Sequence, residues 1–392
     1  MTPDSRILVT GASGLVGSAI VNHLLQKGYR NVSGTYHSRQ ADFGADVPLY
    51  PIEFKDQPAV AALFEKVQPE YVFLAAARVG GIMANNTYRA DFIHDNLLIH
   101  INIIHQSYLS GVKKLLYLGS TCIYPRDCPQ PIKEEYLLTS PLEYTNEPYA
   151  ISKIAGLKMC ESFNLQYGTN YICAMPTNLY GPGDNFDLEK AHVLPALLRK
   201  MHLGKCLASG DWAGLRADLD ARPVNSIDGS ASEGQILQTL AEHGIKGQRS
   251  EVGGQRSEAG GRGAETGCTL EIWGTGTPMR EFLWSLDMAE ACVFLMERVD
   301  FADLAKGMRE VRNTHINIGS GQEISIGDLA SAVKDVVGFP GELVFNAAKP
   351  DGTMRKLTDV SKLHGFGWQH KTSLDEGLRK FYEWYQNSLG GR

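Results

Sequence analysis

The chain has 392 residues, 43% of them hydrophobic and 21% charged, with a formal net charge of −6. That length predicts about two domains with room for a substantial core, and the charge excludes a general nucleic-acid binder, since no face is loaded with Lys and Arg. No apolar run approaches the roughly 18 residues that cross a bilayer, and "MTPDSRILVT" lacks the apolar centre of a signal peptide. The seven cysteines are scattered with no C-x-x-C pair, which predicts neither a disulfide framework nor a metal site and points to a reduced, cytoplasmic protein.

Residues 6–180 alternate short apolar runs with helical patterns. "RILVT" leads through a glycine turn into the helix "GSAIVNHLLQKG". "NVSGTYH", "EYVFLAAA", a helix around "NLLIHINIIHQSYLSG", and "KLLYLGS" follow, then a helix beginning near Tyr149 and the strand "NYICAMPTNLYG". Such alternation predicts an α/β fold: a Rossmann-type, doubly wound parallel sheet over residues 1–180. Residues 181–392 read as a smaller α/β substrate-binding part that returns strands to the first sheet, with "HVLPALLRKM" and "SLDMAEACVFLMERV" as helices and "TLEIWG" as a strand.

An insertion occupies about residues 208–267. In its first half Ser230 and Glu233 have capping-box spacing before "GQILQTLAEHG", with Gly244 as the stop. Its second half, Gly247 to Gly267, is the tandem repeat "GQRSEVG", "GQRSEAG", "GRGAETG". A Gly-rich polar run of this kind buries too little apolar surface to offset its ordering entropy, so a flexible linker is expected.

"VTGASGLVG" places Gly11, Ala12, Ser13, Gly14, Leu15, Val16 and Gly17 between the first strand and its helix, where bare backbone and a helix N-terminus suit a pyrophosphate. The second strand ends in Tyr36, His37, Ser38 and Arg39, with no carboxylate until Asp42 to grip a ribose hydroxyl. Arg39 suits a 2′-phosphate, which favours NADP(H) as cofactor; otherwise Arg39 only covers the surface.

"YAISK" sets Tyr149 and Lys153 on one helix face. A phenol titrates near ~10, and a neighbouring ammonium is expected to lower that value and ease proton transfer to a carbonyl. Ser120 ends the preceding strand and is placed to bond the same carbonyl. In "GSTCIYP", Cys122 lies one strand-period beyond Ser120, so both are expected to face one cleft. Beside a bound ketone, a thiol is a candidate base for the acidic protons on the flanking carbons, with His192 as the second acid/base. Taken alone, Cys122 reads as a small buried hydrophobe and His192 as a structural histidine.

The glycine turn, Ser120, Tyr149 and Lys153 together resemble the extended short-chain dehydrogenase/reductases, and "PTNLYGPGDNF" resembles their nucleotide-sugar branch. "ARVGGIMANNTYRADFI", "LGSTCIYP", "AHVLPALLRK", "WGTGTPMREFL" and "KPDGTMRKLTDVSKL" are similar to the GDP-L-fucose synthase family. That resemblance implies a two-step, NADPH-dependent conversion of GDP-4-dehydro-6-deoxy-D-mannose. Cys122 and His192 would epimerise C3 and C5, assisted by Ser120, and Tyr149 with Lys153 would serve the reduction. It further implies that Leu118, Gly119, Pro176, Thr177, Asn178, Leu179 and His192 join the glycine turn, Arg39 and Lys153 at the cofactor. Asn178, Lys200, Trp273, Arg280, Asp351 and Lys356 would hold the GDP-sugar, and a homodimer is implied. Lys200 replaces a family arginine and Trp284 a family histidine. A 4-epimerase or 4,6-dehydratase of the same superfamily, and a silent NADP-binding regulator, are the rival readings. Cys122 weighs against the first, the retained Tyr149 and Lys153 against the second.

Overall fold

The computed structural model describes residues 1–247, 267–349 and 351–390. In chain order β1 (Ile7–Thr10), α1 (Leu15–Gln26), β2 (Val32–Tyr36), β3 (Leu49–Pro51), α2 (Gln57–Val67) and β4 (Tyr71–Leu74) open the fold. They are followed by α3 (Ile82–Thr87), α4 (Arg89–Leu109), β5 (Lys114–Leu118), α5 (Glu147–Tyr167), β6 (Tyr171–Pro176) and β7 (Asn178–Tyr180). Next come α6 (Val193–Ser209), α7 (Trp212–Ala221), α8 (Glu233–Glu242), β8 (Ile245–Gly247) and β9 (Cys268–Trp273). The remainder comprises β10 (Met279–Trp284), α9 (Ser285–Arg298), α10 (Phe301–Ala305), β11 (Ile316–Ile318), β12 (Glu323–Ser325) and α11 (Ile326–Val337), then β13 (Glu342–Asn346), β14 (Arg355–Lys356), α12 (Ser361–Gly365) and α13 (Leu374–Asn387).

Two units result. The first joins Met1–Asp184, Arg280–Glu323 and Arg355–Leu374; the second joins Asn185–Met279, Ile324–Met354 and Asp375–Arg392. The first unit thus takes in residues 280–323 and 355–374, which the sequence reading assigned to the substrate-binding part, because β10, α9 and β11 complete its sheets and one of its faces.

Its main sheet has seven strands in the order β11-β6-β5-β4-β1-β2-β3, every pair parallel. Side chains alternate between two covered faces, as the period of two requires. Ile7, Val9, Phe73 and Leu116 meet Ile20, Leu24, Met288 and Leu295 of α1 and α9. Leu8, Val72, Leu74, Leu115 and Tyr117 meet Phe64, Ile103 and Leu157 of α2, α4 and α5. A second sheet forms around β10, which pairs in parallel with β7 and lies between β12 and β14.

The second unit contains the sheet β13-β9-β8. At its centre Arg199 is buried; its Nε donates to Asp218 Oδ1 at 2.9 Å and its guanidinium also to the carbonyls of Phe186 and Arg222. Tyr385 donates to the other oxygen of Asp218, so α6, α7 and α13 are tied through one carboxylate. The first half of the insertion is folded as α7, α8 and β8. The helix cap lies two residues later than expected: Ser232 caps α8, forming the capping box with Gln235 rather than Ser230 with Glu233. Gly244, at φ +84°, follows the helix end as anticipated. The repeat from 248 to 266, expected to be a flexible linker, lies outside the described residues.

Candidate active site

Two glycines of the turn, Gly11 and Gly17, have no room for a side chain. Gly11 has φ +68°, and a Cβ on Gly17 would collide with the Gly11 carbonyl. Gly14 caps α1 without a side-chain bond, leaving the first-turn amides of Leu15, Val16 and Gly17 free of a side-chain cap. Neighbouring strand ends clamp the turn: Gly11 N donates to Thr35 Oγ1 at 3.0 Å, Ala12 N to Thr35 O at 2.8 Å, and Ala76 N to Thr10 Oγ1 at 3.2 Å. Ser13 Oγ accepts the Ala41 amide at 3.1 Å, tethering to the turn the loop that carries exposed Arg39. The sequence reading missed Glu53, whose carboxylate sits 3.5 Å from His37 Nε2 beside this loop. The cradle fits a dinucleotide: backbone is bare where a pyrophosphate lies, the helix N-terminus is open to it, and an arginine rather than an acid follows β2.

Asn146 precedes α5 and Pro148 lies in its first turn, which puts Tyr149 one turn before Lys153. Gly156 continues the same face, and a Cβ there would lie 2.5 Å from the Tyr117 hydroxyl, so this glycine lets the helix approach β5. The Tyr117 hydroxyl donates to Lys153 O at 3.3 Å and lies 3.2 Å from His100 Nδ1. Full burial pushes the His100 pKa well down, so that ring is neutral. Lys153 Nζ donates to Leu118 O at 2.7 Å and lies 5.7 Å from the centre of the Tyr149 ring, whose other neighbour is Phe92, edge-on at 6.3 Å.

Burial lowers the Lys153 pKa to about 8, opposed by Cys122. The Tyr149 phenol is pushed up, by burial first and by the charge of a Cys122 thiolate second. The expected lowering of Tyr149 by its lysine is therefore not found; desolvation dominates and the phenol keeps its proton at neutral pH.

Ser120 and Cys122 come together, though not by strand alternation. β5 stops at Leu118, and Thr121–Ile123 form a single 3-10 turn whose first cap is Ser120. Ser120 Oγ accepts the Cys122 amide at 3.3 Å. Cys122 is buried, which raises its pKa; Lys356, Ser120 and Lys153 pull it back. Burial lowers the Lys356 ammonium, against the thiolate, while Arg280 adds to the lowering. Thiol, phenol, Lys153 and Lys356 thus feel one another's charge within the first unit.

Gly119 is held bare because a Cβ would strike Met175 of β6. Pro176 ends β6, Leu179 lies in β7, and Thr177 Oγ1 and Asn178 Nδ2 donate to the Glu281 carbonyl at 3.3 and 2.9 Å.

His192, Lys200, Trp273 and Asp351 belong to the second unit. His192 stands at the N-cap of α6 and makes no capping bond. Lys200 lies on α6, its pKa lowered by burial and raised by Glu271. Trp273 ends β9 with 53% of its surface exposed, and Lys349 Nζ stands 4.9 Å from the centre of its ring. Asp351 accepts the Thr275 amide at 2.7 Å and the Thr275 hydroxyl at 3.0 Å. Tyr117, His100, Gly156 and Glu281 were not singled out from sequence; only Gly156, spaced to share the face of Tyr149 and Lys153, left a local signal. Among the described residues no group of His, Cys, Asp and Glu could hold a metal ion.

The NAD dependent epimerase/dehydratase family matches residues 7–222 and 255–319, and the unmatched stretch between them falls within the insertion. The chain is 43% identical to GDP-L-fucose synthase 1 of Arabidopsis thaliana, over 99% of this chain and 95% of that protein. It is 40% identical to GDP-L-fucose synthase of Escherichia coli, over 97% and 96%. A GDP-D-glycero-L-gluco-heptose synthase from Campylobacter jejuni, crystallised in the presence of NADPH, superimposes with a TM-score of 0.82 at 40% identity, covering 98% of this chain and 99% of that one. Full-length agreement at this level leaves one assignment: the chain belongs to the NAD dependent epimerase/dehydratase family, on the branch that holds the GDP-L-fucose synthases.

Proposed function

We propose that the protein converts GDP-4-dehydro-6-deoxy-D-mannose into GDP-L-fucose, by 3,5-epimerisation followed by NADPH-dependent reduction at C4. The observation that carries this reading is the buried Cys122 thiol, set in the turn that Ser120 caps and within the field of Tyr149, Lys153 and Lys356. A plain reductase needs no thiol there.

The C4 carbonyl is held by Ser120 and Tyr149, whose donors stabilise the enolate oxygen that forms when a neighbouring C–H loses its proton. Cys122 takes that proton as a thiolate, which burial opposes and the charges of Lys356 and Lys153 favour. His192 returns a proton to the opposite face of the same carbon. Repeating the exchange inverts the second centre. NADPH, when bound, supplies hydride to C4. Tyr149, still protonated, gives its proton to the oxygen that becomes the hydroxyl, while the Lys153 ammonium steadies the phenolate left behind.

The glycine turn Gly11–Gly17 and Arg39 hold the dinucleotide, with Leu118, Gly119, Pro176–Leu179 and His192 as its further partners. Asn178, Arg280 and Lys356 take the GDP-sugar in the first unit. A diphosphate carries about two negative charges that local cations must meet.

A second reading differs only in the sugar. The Campylobacter relative, equally similar, is named for a GDP-heptose, so a 4-keto-heptose linked to GDP is the alternative substrate. Incubation with NADPH and either sugar, following absorbance loss and identifying the product by NMR, tests both; oxidation of NADPH by neither rejects the function.

We infer a homodimer through α4 and α5, which expose Ile101, Tyr108, Leu109, Ile151 and Tyr167, with Tyr108 stacked on Tyr167 at 4.5 Å. A monomeric mass by light scattering would reject it. The seven free thiols support a cytoplasmic, reducing location; among the described residues no helix is long and apolar enough to cross a membrane.

A further inference from the structure

Glu281 has no part in the chemistry above, yet it is fully buried on β10, directly after Arg280. Its Oε1 accepts the Gly321 amide at 2.7 Å, and its Oε2 accepts the Thr358 amide at 3.0 Å and the Thr358 hydroxyl at 2.6 Å. Its main-chain carbonyl accepts Asn178 Nδ2. The loop around it has closed so far that a Cβ on Gly319 would strike both the carboxylate and the Thr358 hydroxyl.

Burying a carboxylate is costly unless donors replace its water. Here two separate segments supply them, the 319–321 loop and the strand end after β14, while the β6–β7 junction donates to the main-chain carbonyl of Glu281. The Glu281 carboxylate is thereby bonded to Thr358, two residues beyond Lys356, and lies adjacent in the chain to Arg280, while the main-chain carbonyl of Glu281 holds Asn178. Asn178, Arg280 and Lys356 are the three residues that the proposed function assigns to the GDP-sugar in this unit, and the inference rests on that reading.

We propose that Glu281 is a positioning residue of the nucleotide-sugar site, whose carboxylate fixes the mutual spacing of Arg280 and Lys356 and so sets the grip on the diphosphate. In Glu281→Gln an amide NH₂ must face one of these donor sets, and the spacing relaxes while the shape remains.

The test is calorimetric titration of the full chain with GDP, and separately with adenosine 2′,5′-bisphosphate, which reports on the glycine turn and Arg39. Glu281→Gln is expected to weaken GDP by about tenfold or more, since small misplacements of clamping groups are strongly felt, and to leave the bisphosphate within about twofold. Thr358→Val should reproduce the loss and Thr358→Ser should restore affinity; this pair decides the matter if Glu281→Gln does not fold. GDP binding unchanged in Glu281→Gln or Thr358→Val overturns the inference alone. A parallel loss of both ligands with a lowered Tm overturns it too, marking a structural brace. A wild-type protein that binds no GDP overturns both the inference and the function on which it rests.

Discussion

The Ser120 hydroxyl accepts the Cys122 amide at 3.3 Å, so one serine holds the backbone of the residue that carries the thiol. The oxygen proposed to grip the substrate carbonyl and the sulfur proposed to deprotonate its neighbours are therefore locked in one turn.

Cys122→Ser keeps the turn and removes the thiolate. It should bind NADPH as the wild type does and lose about 100-fold or more of GDP-L-fucose formation, the scale of a general base, releasing a 4-reduced but unepimerised sugar or none. Product NMR checks this; unchanged GDP-L-fucose output removes Cys122 from the mechanism.

Lys153 sets a pH dependence. Burial holds its pKa at about 8, so the ammonium is present below that pH and is lost above it. Because the cation steadies the phenolate of Tyr149, kcat/KM should fall as pH rises through about 8, while Lys153→Arg, which does not deprotonate in this range, should lose the falling limb in its residual activity. A wild-type profile that stays level across that pH contradicts the role.

Gly156→Ala puts a methyl group 2.5 Å from the Tyr117 hydroxyl, which is fully buried and cannot yield. The overpacking should cost about 1–3 kcal/mol, outweighing the helix propensity gained by alanine, and shift Lys153 enough to lower kcat. Denaturant unfolding and steady-state rates measure the two effects; a more stable and fully active variant would contradict the packing.

Arg39→Asp should move the cofactor preference from NADPH towards NADH, since a carboxylate repels a 2′-phosphate and suits a ribose hydroxyl. The ratio of kcat/KM for the two cofactors checks it, and an unaltered ratio excludes Arg39.

What was legible in the sequence was whatever a local period or a backbone demand writes down. The turn at Gly11, Gly14 and Gly17 and the pairing of Tyr149 with Lys153 follow from strand-to-helix geometry and the helical repeat, and both stand where they were expected. Cys122 was placed beside Ser120 for the wrong reason: strand alternation was assumed past Leu118, where the chain winds into a 3-10 turn capped by the serine itself. The cap of α8 slipped from Ser230 to Ser232 because two serines compete within three residues and Gln235 completes the box. Glu281, His100 and Tyr117 were invisible because their partners arrive from distant segments: 177, 321 and 358 around Glu281, and 152 and 153 around the other two. The fall of Lys153 and rise of Tyr149 were equally hidden, since burial is a property of the fold and not of the spacing.

The most direct test is the reaction of wild type and Cys122→Ser with GDP-4-dehydro-6-deoxy-D-mannose and NADPH in D₂O, with the product read by mass spectrometry and NMR. Wild type should place deuterium from solvent at both C3 and C5 of a GDP-L-fucose product, and the variant at neither. A wild-type sugar that is reduced at C4 but carries no solvent deuterium on its ring carbons would contradict the account.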